Sequence, residues 1–218
     1  MDGLDEIRVS SYIKSLYRDD EGVLGELYKK AVREGVPVIR TDTREFIKHE
    51  LLIKKPMRLL EIGTAIGYSS LYMSLILPDG AKIDTIELDE ERYGLACENI
   101  RRMGKEAVIS PIHGDAFAVI KGFKDNTYDM IFLDGPKGQY INYLPELIRI
   151  IKNEGVLISD NVLQEGELLE SHFTVEKRNR TIHDKMREYL YKLTHEEHLH
   201  TAVIPVGDGL AVTYVVKD

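Results

Sequence analysis

The chain has 218 residues, of which 43% are hydrophobic and 30% charged, and its formal net charge is −8. This composition is typical of one folded domain with a sizeable core, and it excludes disordered and fibrous proteins. Because Cys97 is the single cysteine, an internal disulfide and a disulfide-held secreted scaffold are excluded as well. Residues 1–10 are acidic and polar where a signal peptide is basic and then apolar, so we expect a cytoplasmic protein without a membrane span.

The first 56 residues have helical patterns. Apolar residues recur at helical spacing between Leu4 and Leu16, and residues 21–34 and 43–54 give two further candidates. We therefore predict three amphipathic helices at the start of the chain.

From Met57 onward, short β-rich runs alternate with helical segments. The predicted parallel strands are 57–63, 81–87, 107–112, 127–134 and 155–160. The clearest helix is 89–103, with Asp89 as its N-cap and Gly104 after its end. This alternation predicts a doubly wound parallel sheet.

The last part of the chain has a different pattern. Residues 200–206 and 209–216 flank a turn at Gly207 and Asp208, which predicts an antiparallel hairpin. We therefore expect a single α/β domain over residues 1–218. Residues 57–218 would form the sheet and its helices, and residues 1–56 would add helices at the N-terminal end of this domain.

Two glycines follow the first predicted strand. Gly63 and Gly67 let the backbone turn sharply near a ligand, and Ser69 lies near the start of the next helix. Their spacing differs from the dinucleotide pattern, and Glu61 before them suits a ligand with an ammonium or sulfonium group. Glu87, at the end of the second strand, is placed to accept both hydroxyls of a ribose. The pattern indicates a nucleoside ligand without a diphosphate; the alternative is a tight turn and a solvated strand end.

Oxygen-bearing side chains end two other strands. Asp134 follows the fourth strand, and Asp160 and Asn161 follow the fifth, so all three should lie at the same sheet edge. Two carboxylates and an amide favour Mg²⁺ or a similar ion. Lys137 is close enough to remove or stabilise a substrate proton. The alternative interpretation is that these are ordinary turn residues.

Five segments in this order and spacing resemble the metal-dependent O-methyltransferases, the family of catechol and caffeoyl-CoA methyltransferases. They are EIGTAIGYSS, TIELDEERY, HGDAF, MIFLDGPKGQY and GVLISDNV. The resemblance covers about residues 35–216. It implies a Rossmann-like methyltransferase fold with a mostly parallel seven-stranded sheet, S-adenosylmethionine as methyl donor and magnesium as metal.

The resemblance also implies a role for each matching residue. The methionine portion of the donor would be held by Glu61, Gly63, Thr64 and Ser69, the ribose by Glu87, and the adenine by Asp115 and Ala116. Ile39 would make a backbone contact to the donor. The metal ligands would be Asp134, Asp160 and Asn161, with Asp134 also beside the donor, and Lys137 would be the base. Gly135 and Pro136 replace the aromatic gatekeeper of the catechol enzyme, so the substrate does not transfer with the fold.

Residues 161–189 resemble the bacterial subgroup that methylates 5-hydroxyuridine at the wobble position of tRNA. That base presents a hydroxyl beside a carbonyl, so it can chelate a metal as a catechol does. Residues 175–192 carry six basic and three acidic side chains, and we expect Lys177, Arg178 and Arg180 to bind RNA phosphates near an anticodon loop. The alternatives are a solvated helix face, a small phenolic acceptor and a nucleoside-binding module without catalysis.

Four secondary expectations concern the rest of the chain. Residues 162–174 are a candidate lid, and the N-terminal helices are a candidate homodimer surface. His195, His198 and His200 are expected to be surface residues. The RNA footprint is expected to extend to seven further basic residues: Lys29, Lys30, Arg33, Arg40, Arg44, Lys54 and Lys55.

Overall fold

The protein is described by a computed structural model that covers residues 6–217, without the side chains of residues 6, 7, 10 and 165. Three helices come first, α1 (Glu6–Ser15), α2 (Gly22–Glu34) and α3 (Thr41–Lys54). The start of the first predicted helix, at Leu4, lies outside the described residues. The helix α2 ends at Gly35, whose left-handed backbone lets its N–H contact the last free carbonyls of the helix.

Within the described residues, seven strands form one sheet in the order β3-β2-β1-β4-β5-β7-β6. Their bounds are β1 (Arg58–Ile62), β2 (Lys82–Glu87), β3 (Ile109–His113), β4 (Tyr128–Leu133), β5 (Ile151–Ser159), β6 (Leu199–Ile204) and β7 (Leu210–Val215). The first five are parallel, and β7 runs antiparallel to both β5 and β6. The predicted Rossmann-like methyltransferase fold with an antiparallel C-terminal hairpin is confirmed.

Five helices connect the strands. They are α4 (Tyr68–Ser74), α5 (Glu90–Arg102), α6 (Ala116–Lys121), α7 (Tyr140–Ile150) and α8 (Arg180–His195). The predicted cap of α5 is confirmed, since the Asp89 side chain accepts a hydrogen bond from the Arg92 N–H at 2.9 Å. Short 3-10 helices cover Lys137–Gln139 and Gln164–Leu169. No helix among residues 6–217 is long and apolar enough to cross a membrane.

Two apolar cores lie against the two faces of the sheet. Successive strand residues point to opposite faces, so Leu60 and Ile62 belong to one core while Leu59 belongs to the other. The first core is closed by α6, α7 and α8, and the second by α2, α3, α4 and α5. Fully buried strands of this kind read as nearly continuous apolar runs, which is why the sequence pattern identifies them.

At the carboxyl ends of the parallel strands, the loop after β1 and the loop after β4 lie in close contact. Strand order reverses between β1 and β4, and such a reversal opens a crevice beyond the strand ends. Gly63 has φ +102°, and a Cβ there would overlap the Asp134 carbonyl group. A glycine is therefore required at position 63, and it brings the loop after β1 against Asp134, the residue that follows β4.

Candidate functional site

A cleft of about 1500 Å³ opens at this sheet edge. Seven of the twelve residues predicted for the donor, the metal and the base line it: Gly63, Glu87, Asp115, Ala116, Asp134, Lys137 and Asn161. A smaller adjoining recess is lined by Ile39, Gly63, Thr64, Ser69 and Asp134. Glu61 and Asp160 are buried and line neither space. The structure thus brings ten of these twelve residues together around one cavity and its recess.

Glu61 is an acid inside the protein core. Its side chain is fully buried, and its Oε2 accepts a hydrogen bond from the Thr85 hydroxyl at 2.5 Å. Its Oε1 has no hydrogen-bond partner among the described residues. Burial, with a smaller contribution from the negative charge of Asp134, raises the pKa of Glu61 to about 7. An unpaired carboxylate oxygen in a buried site fits a ligand that brings a positive charge.

Glu87 is held in one orientation by the backbone. Its Oε2 accepts the Ala65 N–H at 2.8 Å, and its Oε1 accepts the Asp89 N–H at 3.0 Å. A carboxylate oxygen has a second lone pair, so both oxygens can still accept hydroxyl groups from a ligand in the cleft. The sequence could not reveal these two backbone donors, because the Ala65 N–H is available only through a left-handed backbone with φ 45°.

The opposite end of the cleft is formed by the start of α6. Asp115 is the N-cap of this helix, and its Oδ1 accepts the Ala118 N–H at 3.0 Å. Ala116 is buried, and Phe117 beside it is partly exposed toward the cleft. This end combines an apolar surface with one anchored carboxylate, which suits a flat heterocycle with an amino group.

The catalytic candidates form a connected hydrogen-bond network. Lys137 Nζ donates to Asp134 Oδ1 at 2.8 Å and to the Tyr140 hydroxyl at 3.0 Å. That hydroxyl lies 3.0 Å and 3.1 Å from the carbonyl oxygens of Leu133 and Asp160, to which it donates. Sequence reasoning missed Tyr140, although its position three residues after Lys137, at the start of a helix, was an available signal.

Asp160 and Asn161 provide the remaining oxygen atoms. The Asp160 Oδ1 accepts the Asn161 N–H at 2.7 Å, and Asn161 has a left-handed backbone with φ 56°. Burial and the nearby charge of Asp134 raise the pKa of Asp160 to about 7. Two carboxylates that repel each other, beside an amide oxygen, form a donor set that fits a hard divalent cation such as Mg²⁺.

The basic residues of 175–192 divide into those that line the cleft and those that do not. Among the described residues, Lys177, Arg178 and Arg180 do not line the cleft, whereas Lys185 and Lys192 of α8 do. Arg178 pairs with Glu176 at 2.7 Å, and Arg180 donates to the carbonyl oxygens of Val175 and Phe173, each at 3.2 Å.

The expectation that Arg44 extends an RNA footprint is wrong. Its side chain is buried in ion pairs with Asp20 at 2.9 Å and Glu45 at 2.8 Å, so it serves the packing of the N-terminal helices. The prediction for His195, His198 and His200 is confirmed, since all three are exposed where α8 ends and β6 begins.

The fold and the cleft at its sheet edge define a Rossmann-like methyltransferase, and comparisons with known proteins agree. Residues 14–216 match the O-methyltransferase family model. A caffeoyl-CoA O-methyltransferase from Stellaria longipes is 32% identical over 164 residues, which cover 72% of this chain and 67% of the relative. The chain therefore belongs to the O-methyltransferase family, and the protein is an S-adenosylmethionine-dependent O-methyltransferase.

Solved structures show the same architecture. A Staphylococcus aureus protein provisionally named a caffeoyl-CoA O-methyltransferase superimposes with a TM-score of 0.87 at 28% identity, covering 95% of this chain and 99% of that one. A Bacillus cereus O-methyltransferase in complex with SAH gives a TM-score of 0.82 at 22% identity, with 95% and 97% coverage.

Replacing Glu61 with glutamine should stabilise the protein at high pH. The pKa of Glu61 rises from 4.5 to about 7 on folding. Burying the charged form is unfavourable, so the free energy of unfolding falls progressively as the pH rises between these two values. We expect E61Q to raise the free energy of unfolding by about 1–3 kcal/mol at pH 8 and to change it little at pH 4. Urea unfolding at both pH values measures this, with the surface variant E196Q as control. An equal effect of E61Q at both pH values would contradict the prediction.

Proposed function

We propose that this protein methylates the 5-hydroxyl group of 5-hydroxyuridine at the wobble position of tRNA, in a Mg²⁺-dependent reaction. The observation that carries the proposal is that Lys185 and Lys192 line the same cleft as Asp134 and Lys137. The part of α8 that carries these lysines, with Glu188 paired to Lys192 at 3.5 Å, is thus one wall of the candidate active site. The phosphates of a bound RNA would lie there beside a base that enters the cleft. The resemblance of residues 161–189 to the tRNA-modifying subgroup supports the same conclusion.

The methyl donor would lie across the ends of β1, β2 and β3. S-adenosylmethionine supplies a methyl group on a positively charged sulfur. Glu61, whose Oε1 is unpaired, offers a negative charge to the cationic methionine portion, which Gly63, Thr64 and Ser69 would also hold. Glu87 would accept the ribose hydroxyls, Asp115 and Ala116 would hold the adenine, and Ile39 would close the recess at the methionine end.

The acceptor would lie across the ends of β4 and β5. Asp134, Asp160 and Asn161 would hold Mg²⁺, which when bound lowers the pKa of an acceptor hydroxyl and orients it. Lys137, held by Asp134 and Tyr140, would remove the acceptor proton or stabilise the charge that forms. Gly63 keeps the two loops close, so donor and acceptor are brought together by proximity and orientation.

Removing the cleft-facing lysines should weaken the reaction on RNA specifically. We expect the double variant K185A/K192A to raise KM for tRNA by about tenfold and to make it less sensitive to salt, because two phosphate contacts are lost. Methylation of the free nucleoside 5-hydroxyuridine should stay unchanged, since it has no phosphate to bind. The exposed Lys124, which does not line the cleft, gives the control K124A. Equal losses on tRNA and nucleoside would argue against an RNA-binding wall.

A small catechol-like phenol is the second candidate acceptor. It is favoured by the caffeoyl-CoA O-methyltransferase from Stellaria longipes, and a catechol presents the same two adjacent oxygens. The deciding assay measures labelled methyl transfer from S-adenosylmethionine to tRNA with 5-hydroxyuridine and, in parallel, to a catechol panel, each with Mg²⁺ or chelator. Labelling of tRNA alone supports the proposal, whereas labelling of phenols alone rejects it. Donor binding without any labelling would indicate a nucleoside-binding module.

A further inference from the structure

A second group of side chains that could hold a metal lies where α8 begins, and none of its three members lines the cleft. His172 precedes the helix, and His183 and Asp184 lie in its first turns. One ligand atom from each of the three residues lies within 4.8 Å of the other two. The pair distances to the shared Asp184 Oδ1 are 2.8 Å from His172 Nδ1 and 3.2 Å from His183 Nδ1.

The environment of His183 leaves one of its nitrogens facing an anion. The imidazole is buried, with 1% of its surface exposed. Its Nε2 lies 3.2 Å from the Glu170 carbonyl oxygen, which can only accept, so this nitrogen carries a hydrogen. In the neutral ring the Nδ1 then holds a lone pair, and this lone pair faces the carboxylate oxygen of Asp184. Two acceptors in contact need a cation between them, either a proton or a metal ion.

We propose that His172, His183 and Asp184 bind a Zn²⁺ ion, in a site separate from the oxygen-rich one beside Lys137. Two imidazole nitrogens and a carboxylate are a common zinc ligand set, and imidazole disfavours Mg²⁺. Tetrahedral zinc with bonds of about 2 Å places its ligands about 3.3 Å apart, close to the 2.8 Å and 3.2 Å that separate the two imidazole nitrogens from Asp184 Oδ1. The Glu170 carbonyl orients the His183 ring, as outer partners of metal-bound histidines do. Water completes the coordination on the exposed side of Asp184.

The site would join the candidate lid to the wall of the cleft. His172 lies in the segment that begins after Asn161, whereas His183 belongs to α8. Two residues beyond His183, Lys185 donates a hydrogen bond to the Gly138 carbonyl at 3.2 Å, next to Lys137. A zinc ion bridging His172 and His183 therefore ties residues 162–174 to the helix that carries the cleft-lining lysines.

Cobalt titration tests the site without depending on activity. Co²⁺ replaces Zn²⁺ in tetrahedral sites and gives a visible absorption band there, and millimolar Mg²⁺ would occupy the oxygen-rich site. We expect the wild-type protein to bind one equivalent of Co²⁺ with this band, and Zn²⁺ to displace it. H172A and D184N, which alter partly or fully exposed side chains, should each weaken binding at least about 100-fold. H198A, at an exposed histidine paired with Glu196, should bind as the wild type does.

Three results would overturn the proposal. The first is the lack of a band in the wild-type protein, and the second is unchanged affinity in both H172A and D184N. The third comes from nitrogen NMR of the protein with excess Zn²⁺ at pH 7.5: protons on both ring nitrogens of His183 would show that an imidazolium, and no metal, faces Asp184. Loss of the band in H183Q counts in favour only if its circular dichroism matches the wild type.

Discussion

The variant D160A should lose about 10³-fold in metal-stimulated kcat/KM, because the ion's stabilisation of the reacting oxygen is worth several kcal/mol. Asp160 is buried at the end of β5 and close enough to Asp134 for its pKa to be raised to about 7. A cation between these carboxylates offsets a repulsion that the protein otherwise bears. The measurement is methyl transfer over a range of Mg²⁺ concentrations, compared with transfer in excess chelator.

The matched control for this prediction is D125A. Asp125 is an exposed acid that pairs with Arg149 at 2.5 Å on another surface, so its loss removes one negative charge without touching the cleft. D125A should keep the wild-type dependence on Mg²⁺. Full wild-type activity in chelator would show that the reaction needs no metal ion. A D160A variant that still responds to Mg²⁺ as the wild type does would contradict the role of Asp160 as a metal ligand.

The second large effect is expected for K137A, which should lower kcat by about 10²- to 10³-fold, the usual range for a group that handles a proton. Lys137 contacts Asp134 and Tyr140, and its own side chain does not line the recess assigned to the methionine portion of the donor. Calorimetry should therefore find S-adenosylmethionine affinity close to that of the wild type. Unchanged turnover would reject Lys137 as the base.

A conservative variant separates two roles for this lysine. K137R keeps a positive charge but cannot accept a proton, because arginine stays protonated in proteins. If Lys137 removes the acceptor proton, K137R should be as slow as K137A. If it only stabilises negative charge, K137R should recover a large part of the activity. Both variants need the same unfolding midpoint in urea as the wild type for this comparison to hold.

The fold could be predicted because its strands are buried on both faces and its helices on one. The long apolar runs before Gly63 and Asp134 mark central strands, and the Gly207–Asp208 turn marks the final hairpin. The start of β5 was missed: the strand begins at Ile151, four residues earlier than predicted. Polar residues and a left-handed Glu154 interrupt its pattern there. Ile151 pairs with Tyr128 of β4 ahead of a shift in register, and no local pattern reveals that pairing.

The candidate site could be predicted wherever it depends on strand ends. Asp134, Asp160 and Asn161 come together because parallel strands place their carboxyl ends at one edge. The sequence could not predict which face of α8 lies along the cleft, because this depends on how that helix packs against α7 and β6. For this reason the sequence could not tell which basic residues of 175–192 line the cleft: Lys185 and Lys192 do, whereas Lys177, Arg178 and Arg180, which are predicted to bind RNA, do not. The burial of Arg44 could not be predicted either, because it depends on tertiary contacts such as its ion pair with Asp20.

The double anchoring of Lys137 has a consequence for the order of events in the cleft. If Asp134 turns toward a metal ion, the lysine loses one partner but keeps the Tyr140 hydroxyl, so its amino group stays in the cleft and does not swing into solvent. Burial holds the pKa of Tyr140 well above its ordinary value, so this tyrosine remains protonated and does not take up a proton. A metal ion held by Asp134 would thus leave Lys137 with a neutral partner, the Tyr140 hydroxyl, which would keep its amino group in the cleft.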